Sequence, residues 1–82
     1  MDGVIGEVKL FAGDFAPEGW LYCDGKSMSI NDNTALFSIL RTQYGGDGKT
    51  TFSLPNMKPV SGGDEGKVQY IICIQGVYPA RG

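Results

Sequence analysis

The chain of 82 residues contains no histidine, and cysteine occurs only twice. Histidine is the commonest general base and a frequent metal ligand, so its absence removes the usual catalytic and metal-binding centres. Two isolated cysteines without histidine do not make up a zinc set. We therefore expect no enzymatic activity, no cofactor and no metal site.

Runs of charge and long apolar runs are also missing. Nine acidic and seven basic residues give a formal charge of −2, and no basic run occurs. Binding to nucleic acid through phosphates therefore has little support. No apolar run is long enough to span a membrane, and Met1-Asp2-Gly3 does not begin a secretion signal. We expect synthesis in the cytoplasm without a signal peptide and without membrane insertion.

The two cysteines, Cys23 and Cys73, each lie inside an apolar run. This placement favours two buried free thiols. A disulfide is the alternative, and it would need an oxidising compartment and close Cβ atoms.

Glycine is the residue present in excess. The 13 glycines are roughly twice the usual ~7% share, and their scatter indicates many tight turns. The apolar content of 41% is too high for a disordered chain. Residues 1–82 are long enough for one domain with a small core, which favours extra stabilisation by self-association or by a partner.

Only one segment has a clear helical period. Leu36, Ile39, Leu40 and Tyr44 can share one face of a helix, with Phe37 at its margin. We therefore predict one helix that packs on a small sheet.

The flanks of this segment predict where the helix begins and ends. Ser29 with Asp32 three residues later fits a capping box, and Asn31 is the alternative cap. Gly45 and Gly46 offer the positive φ that closes a helix, so we predict that it ends near Gln43 or Tyr44, with Arg41 in the last turn.

The rest of the chain has the character of strands and turns. In the segment 6–11, Val8 and Leu10 face one way and Glu7 and Lys9 the other, as in a half-buried strand. The pair Asp24-Gly25 predicts a hairpin that joins two further strands. The predicted strands after the first are 20–23, 26–30, 50–54 and the nearly all-apolar 68–75, which we place at the sheet centre.

These elements predict an α+β fold: a small, mostly antiparallel β-sheet with one α-helix packed on it and glycine-rich loops. Pro59 bars a regular element at its position, Ser61–Gly66 is predicted to be a flexible loop, and Val77–Gly82 is predicted to be a tail.

Three groups of residues suggest chemistry, and each has a structural explanation that we favour. Gly45-Gly46-Asp47-Gly48 resembles an anion cradle, but it follows a helix instead of preceding one, so a turn explains it better than ion binding. The acidic residues beside glycine lack the spacing of a calcium loop. Core packing explains most of the aromatic residues, and a sugar-stacking platform is the alternative for Trp20, Tyr22, Tyr44, Phe52 and Tyr78.

Several motifs, taken in order, resemble the phage tail collar domain and the microcystin-dependent proteins that carry it. They are Gly6-Glu7-Val8-Lys9-Leu10-Phe11-Ala12-Gly13, Phe15-Ala16-Pro17-Glu18-Gly19-Trp20, Cys23-Asp24-Gly25, Ala35-Leu36-Phe37, Tyr44-Gly45-Gly46-Asp47-Gly48 and Thr51-Phe52-Ser53-Leu54-Pro55. The segment from Tyr70 to Pro79 resembles the usual end of those proteins, so the similarity covers nearly the whole chain.

The resemblance implies a function. Proteins of this family are parts of tail fibres and related injection particles, several form trimers, and some reach host-surface receptors. It therefore implies a structural, non-enzymatic module of a virion tail or phage-like particle that self-associates, with a trimer favoured, and docks to other tail or baseplate proteins. A module that binds a cell-surface glycan or protein receptor is the alternative. The residues proposed to contact partners are Tyr44, Gly45, Gly46, Asp47 and Tyr78.

The chain also departs from the family pattern. The family usually continues its Leu-Pro with an aspartate, an apolar residue and Arg-Gly-Arg, where this chain has Asn56-Met57-Lys58-Pro59-Val60. A long variable insertion commonly follows, where only Ser61–Gly66 stands here. The resemblance therefore implies a minimal version of the domain.

Overall fold

The computed structural model describes residues 3–61 and 67–79, and its elements follow one another as six strands and one helix. In chain order they are β1 (Val8–Phe11), β2 (Trp20–Tyr22), β3 (Ser27–Ser29), α1 (Thr34–Leu40), β4 (Thr51–Ser53), β5 (Val60–Ser61) and β6 (Lys67–Cys73).

Strand β6 organises the larger sheet. Both β1 and β2 pair with it antiparallel, in the order β1-β6-β2, and β5 pairs antiparallel with its beginning. Strands β3 and β4 form a separate antiparallel pair. The structure thus confirms the α+β class and the central position of the apolar strand, which runs over Lys67–Cys73 and ends before Ile74.

The two faces of β6 are buried against different neighbours. Ile72 lies opposite Val8 on one side and Leu21 on the other, and these side chains point to the face that carries the helix. Ile71 lies opposite Lys9 and Tyr22 and points to the other face. Both isoleucines are fully buried, which explains why residues 70–73 of this strand are apolar although Lys67 and Gln69 are polar.

The first face contributes to the helix-side core. Its buried members come from the helix, from the small β3–β4 sheet and from the larger sheet: Ile5, Cys23, Leu36, Leu40, Phe52, Leu54 and Ile72. The rings of Phe37 and Phe52 lie 5.4 Å apart between centroids, so the aromatic residue at the helix margin also contacts this core.

The second face contributes to the tryptophan-side core. Trp20, Ile71 and Cys73 are its buried members, and Phe11, Ala16 and Tyr22 pack around them. The Lys9 ammonium lies 4.6 Å from the centroid of the Trp20 ring, where a cation is attracted to the π system. Neither α1 nor the β3–β4 pair contributes to this core. Trp20 and its neighbours therefore cover this face of the larger sheet.

The predicted hairpin at Asp24-Gly25 is wrong. β2 pairs with β6, whereas β3 pairs with β4, so the two strands that flank these residues belong to different sheets. Gly25 has the positive φ of a turn, but its N–H donates to the Pro55 carbonyl, and Asp24 bridges to Asn56. The turn therefore connects a strand of the larger sheet to a strand of the smaller one. The strands that β2 and β3 pair with, β6 and β4, both lie later in the sequence.

The predicted helix boundaries are also wrong. The helix begins at Thr34 after Asn33, whose side-chain amide donates to the Ser29 carbonyl. Ser29 ends β3 opposite Thr51 and so does not cap the helix, and Asn31 does not cap it either. The helix ends at Leu40, because Arg41 adopts a φ of 52°.

Because the helix ends at Leu40, the residues that follow it form turns. The Arg41 N–H still donates to the Phe37 carbonyl, and successive turns then lead to the glycines. Leu36 and Leu40 are buried and Ile39 is half-buried, as the apolar face predicts, but Tyr44 lies outside the helix and is exposed.

Strand β1 shows the predicted alternation, but Val8 and Leu10 lie on its more exposed side. Val8 is 38% and Leu10 47% exposed, while Lys9 and Phe11 are half-buried against the tryptophan side. Of the predicted loop, Ser61 lies in β5 and residues 62–66 lie outside the described residues, as do residues 80–82 of the predicted tail.

Candidate functional site

The glycine loop predicted to contact partners is organised by the carboxylate of Asp47. Its Oδ1 accepts hydrogen bonds from the backbone N–H groups of Lys49, Thr50 and Thr51 at 2.8–2.9 Å. Its Oδ2 accepts the Thr50 hydroxyl at 3.0 Å. These bonds lower the pKa of Asp47, and the bond from the Thr51 backbone has the largest effect. The carboxylate thus holds the loop that leads into β4.

The two glycines of this loop are required by close packing. Both have positive φ, 129° at Gly45 and 101° at Gly46, although neither closes the helix as predicted. A Cβ at Gly46 would stand 2.6 Å from the Thr51 carbonyl oxygen and even closer to the backbone of Phe52. The loop therefore lies directly on the strand that carries a core phenylalanine.

The remaining two predicted contact residues are exposed aromatics. Tyr44 is 47% and Tyr78 is 51% exposed. The Tyr78 hydroxyl lies 2.6 Å from the Ser38 hydroxyl, which fixes it beside the helix. Among the described residues no ring contact joins the two tyrosines. The structure thus brings Gly45, Gly46 and Asp47 together in one loop and places Tyr78 against the helix.

A second exposed surface was missed by sequence reasoning. We call it the β1 surface, and it consists of four exposed apolar side chains: Val4, Val8, Leu10 and Val77. The Val4–Val77 bridge joins the first turn to the last described segment, and the Glu7 N–H donates to the Val4 carbonyl just before β1 begins. Residues from both ends of the described chain therefore contribute to it.

The β1 surface is exposed because of its position in the sheet. Strand β1 lies at an edge, and among the described strands it pairs only with β6. The seven-residue helix is about 10 Å long, so it covers only a short part of the sheet face on which it packs. The alternation of Val8 and Leu10 is visible in the sequence, but edge position depends on the topology.

Both cysteines are buried free thiols, as the sequence predicted. Cys23 belongs to the helix-side core and Cys73 to the tryptophan-side core. Burial, and to a lesser extent the charge of Asp24, raises the pKa of the Cys23 thiol to about 11. Burial also raises the pKa of Cys73, whose thiol donates to the Gln75 carbonyl at 3.2 Å. Neutral, buried thiols of this kind are poor nucleophiles.

A cleft of about 240 Å³ opens where β2 ends beside β6. Its floor is fixed by backbone hydrogen bonds, because Cys23 donates to the Tyr70 carbonyl at 3.0 Å and Met57 donates to the Cys23 carbonyl at 2.8 Å. The residues that line it include Tyr22, Asp24, Asn56, Lys58, Gln69 and Tyr70.

The described residues contain no group of three or more histidine, cysteine or acidic side chains placed to hold a metal ion. Within the same residues, no helix is long and apolar enough to cross a membrane.

The fold defines a small α+β domain, with one short helix packed on antiparallel strands. The family model of the phage tail collar domain matches residues 6–60, which are 55 of the 82 residues. The chain belongs to the phage tail collar domain family, a structural family of phage tails, and is accordingly a tail component. Strand β6 lies beyond the matched region. A search of curated proteins gave no match.

Proposed function

We propose that the chain is a self-associating structural module of a phage tail fibre or phage-like injection particle. It docks to other tail or baseplate proteins, performs no catalysis, and forms a trimer. The observation that carries this proposal is the β1 surface, where exposed apolar side chains lie on and beside an edge strand.

Self-association would cover this surface for a simple reason. Burying apolar area contributes roughly 25 cal/mol per Å², and a chain of 82 residues has a small core of its own. Contacts between copies would therefore bury apolar area that the isolated chain leaves exposed, and so would stabilise the fold.

The glycine loop and Tyr78 are the proposed contacts with other tail proteins. Tyr44 and Tyr78 offer exposed rings, and aromatic residues are enriched at protein interfaces. Gly45, Gly46 and Asp47 would contribute by giving the loop a fixed shape, which limits the ordering cost of docking.

The molar mass in solution tests self-association. Light scattering behind size exclusion, across a dilution series, should give three times the monomer mass. Val8→Lys and Leu10→Lys together place two charges on the β1 surface and should yield monomer. Phe15→Lys is the matched control, because Phe15 is 73% exposed but lies outside that surface. A wild-type monomer at every concentration would contradict the proposal.

A receptor-binding module is the second candidate function. The cleft beside Tyr22 and Tyr70 favours it, since aromatic and amide side chains converge there. Trp20 is 2% exposed and so is unavailable as a stacking platform, whereas Tyr44 remains accessible. Binding to a cell-surface glycan or protein by the intact chain, measured on an immobilised array, tests this candidate.

A further inference from the structure

The cleft at the end of β2 carries side chains of a particular chemical character. Asn56 and Gln69 contribute amides that make no hydrogen bond to another described residue. An amide both donates and accepts, as a hydroxyl does. Asp24 adds a carboxylate whose Oδ1 accepts the Lys26 N–H at 3.0 Å, which leaves its second oxygen for another donor.

The apolar part of the cleft comes from tyrosine rings. Tyr22 lies opposite Ile71 on the tryptophan side, and Tyr70 lies opposite Leu10 on the helix side, so the two rings approach the cleft from different faces of the sheet. The Tyr22 hydroxyl donates to the Gly13 carbonyl at 3.1 Å, which holds that ring in place. This bond fixes one wall of the cleft before any ligand arrives.

Charge and size narrow the class of ligand. Asp24 and Lys58 contribute one charge of each sign, so neither a free anion nor a free cation gains a net attraction. The volume of about 240 Å³ lies below the ~300–1,000 Å³ of sites for drug-sized ligands. A neutral ligand of a single ring, with polar edges and apolar faces, fits both conditions.

We propose that this cleft binds one pyranose ring of a carbohydrate. The sugar hydroxyls bond to the amides of Asn56 and Gln69 and to the free oxygen of Asp24, while a C–H face of the ring packs on a tyrosine. This inference gives the second candidate function a definite site, and it does not depend on self-association. A ligand of about a dozen heavy atoms in an open cleft binds in the millimolar range, and several copies in one oligomer would raise the avidity.

A titration of the intact chain followed by amide nuclear magnetic resonance tests the proposal. The probes are the methyl glycosides of glucose, galactose, mannose and N-acetylglucosamine. At least one should give saturable shifts of the Asn56 and Gln69 side-chain amides and of the surrounding backbone. Cyclohexanol, a ring with one hydroxyl, and inorganic phosphate, an anion, should leave these signals unchanged.

Variants identify the groups that bind. Asn56→Ala and Gln69→Ala should each weaken binding about three- to tenfold, the effect of one lost hydrogen bond. Asn31→Ala and Gln43→Ala remove the same groups at exposed positions outside the cleft and should have no effect.

Several outcomes would overturn the assignment. They are the absence of saturable shifts with every glycoside, equal shifts with cyclohexanol or phosphate, and equal weakening by the control variants. The molar mass of Asn56→Ala should equal that of the wild type, so failure here is distinguishable from failure of the self-association proposal.

Discussion

The two faces of β6 are buried by different means, although both belong to one strand of seven residues. On one face the helix and the β3–β4 pair supply a second layer, with Leu36, Leu40 and Phe52 as its anchors. On the other face a single large side chain, Trp20, covers Ile71 and Cys73. A chain of this size has too few residues to cover both faces of the sheet with secondary-structure elements. On this face the Trp20 side chain covers the strand instead.

This arrangement has a consequence for the chain near Trp20. A Cβ at Gly3 would stand 2.5 Å from Cζ2 of the indole, so the first described residue packs directly on the ring. Lys9 lies over the same ring. The tryptophan side thus depends on a few close contacts, whereas the helix side distributes its stability over many residues.

The largest expected effect is at Trp20. Trp20→Ala should lower the free energy of unfolding by about 3–5 kcal/mol, because it opens the whole tryptophan-side core. Denaturant unfolding at fixed protein concentration measures the loss. Thiol labelling should then modify Cys73 before Cys23, since each cysteine reports on one core. Trp20→Phe, which retains a ring, should lose less. Earlier labelling of Cys23 would contradict the comparison of the two faces.

Leu40 tests the helix side. Leu40→Ala should cost about 2–5 kcal/mol, since the side chain is 6% exposed within the larger core. Ile39→Ala is the matched control on the same helix, where a half-buried side chain should cost less. Thermal and denaturant unfolding both measure the difference. A cost below about 1 kcal/mol for Leu40 would mean that the helix contributes little to the core.

Gly46 tests the packing of the glycine loop on β4, the strand that carries the core residue Phe52. Gly46→Val should destabilise the fold by about 1–3 kcal/mol, because a β-branched residue meets both a positive φ and the backbone of β4. Gly45→Val should cost less than this, since its Cβ would stand 3.0 Å from the Ser53 hydroxyl, a side-chain atom. Melting temperatures compare the two. Unchanged melting for both would remove the packing explanation of the loop.

The smallest expected effect concerns Asp47 and pH. Its pKa is lowered in the folded state, so its contribution is present above the unfolded value and is lost as the pH falls through the folded one. Stability measured from neutral pH downward should therefore fall less steeply in Asp47→Asn than in the wild type. Asp14→Asn is the control for removing one acidic charge. An identical slope in Asp47→Asn and the wild type would contradict the role of the loop bonds.

The sequence predicted the backbone conformation of the glycine loop correctly but not its structural role. Gly45 and Gly46 do have the positive φ that their cluster suggested, but they pack on β4 instead of closing the helix. Asp47, interpreted as a turn acid, does hold a turn. The β1 surface and the cleft were missed, because each joins residues far apart in the chain.

Local chemistry explains what the sequence determined by itself. A nearly all-apolar strand is expected to be buried on both faces, so the segment that contains Ile71, Ile72 and Cys73 was predicted at the sheet centre. The helical period identified Leu36 and Leu40 as buried anchors. Both inferences need only the spacing of side chains along one element, together with the preference of apolar groups to leave water.

Only the tertiary structure decided which strands pair and where the helix ends. β2 joins β6 and β3 joins β4, because each pairing buries side chains from distant segments, which outweighs the local turn signal at Asp24-Gly25. Arg41 leaves the helix with a φ of 52°, a conformation that no local pattern favours for arginine. The last buried contact of α1 is Leu40, and the chain must then turn toward β4. These features depend on contacts between elements, and the sequence does not display such contacts.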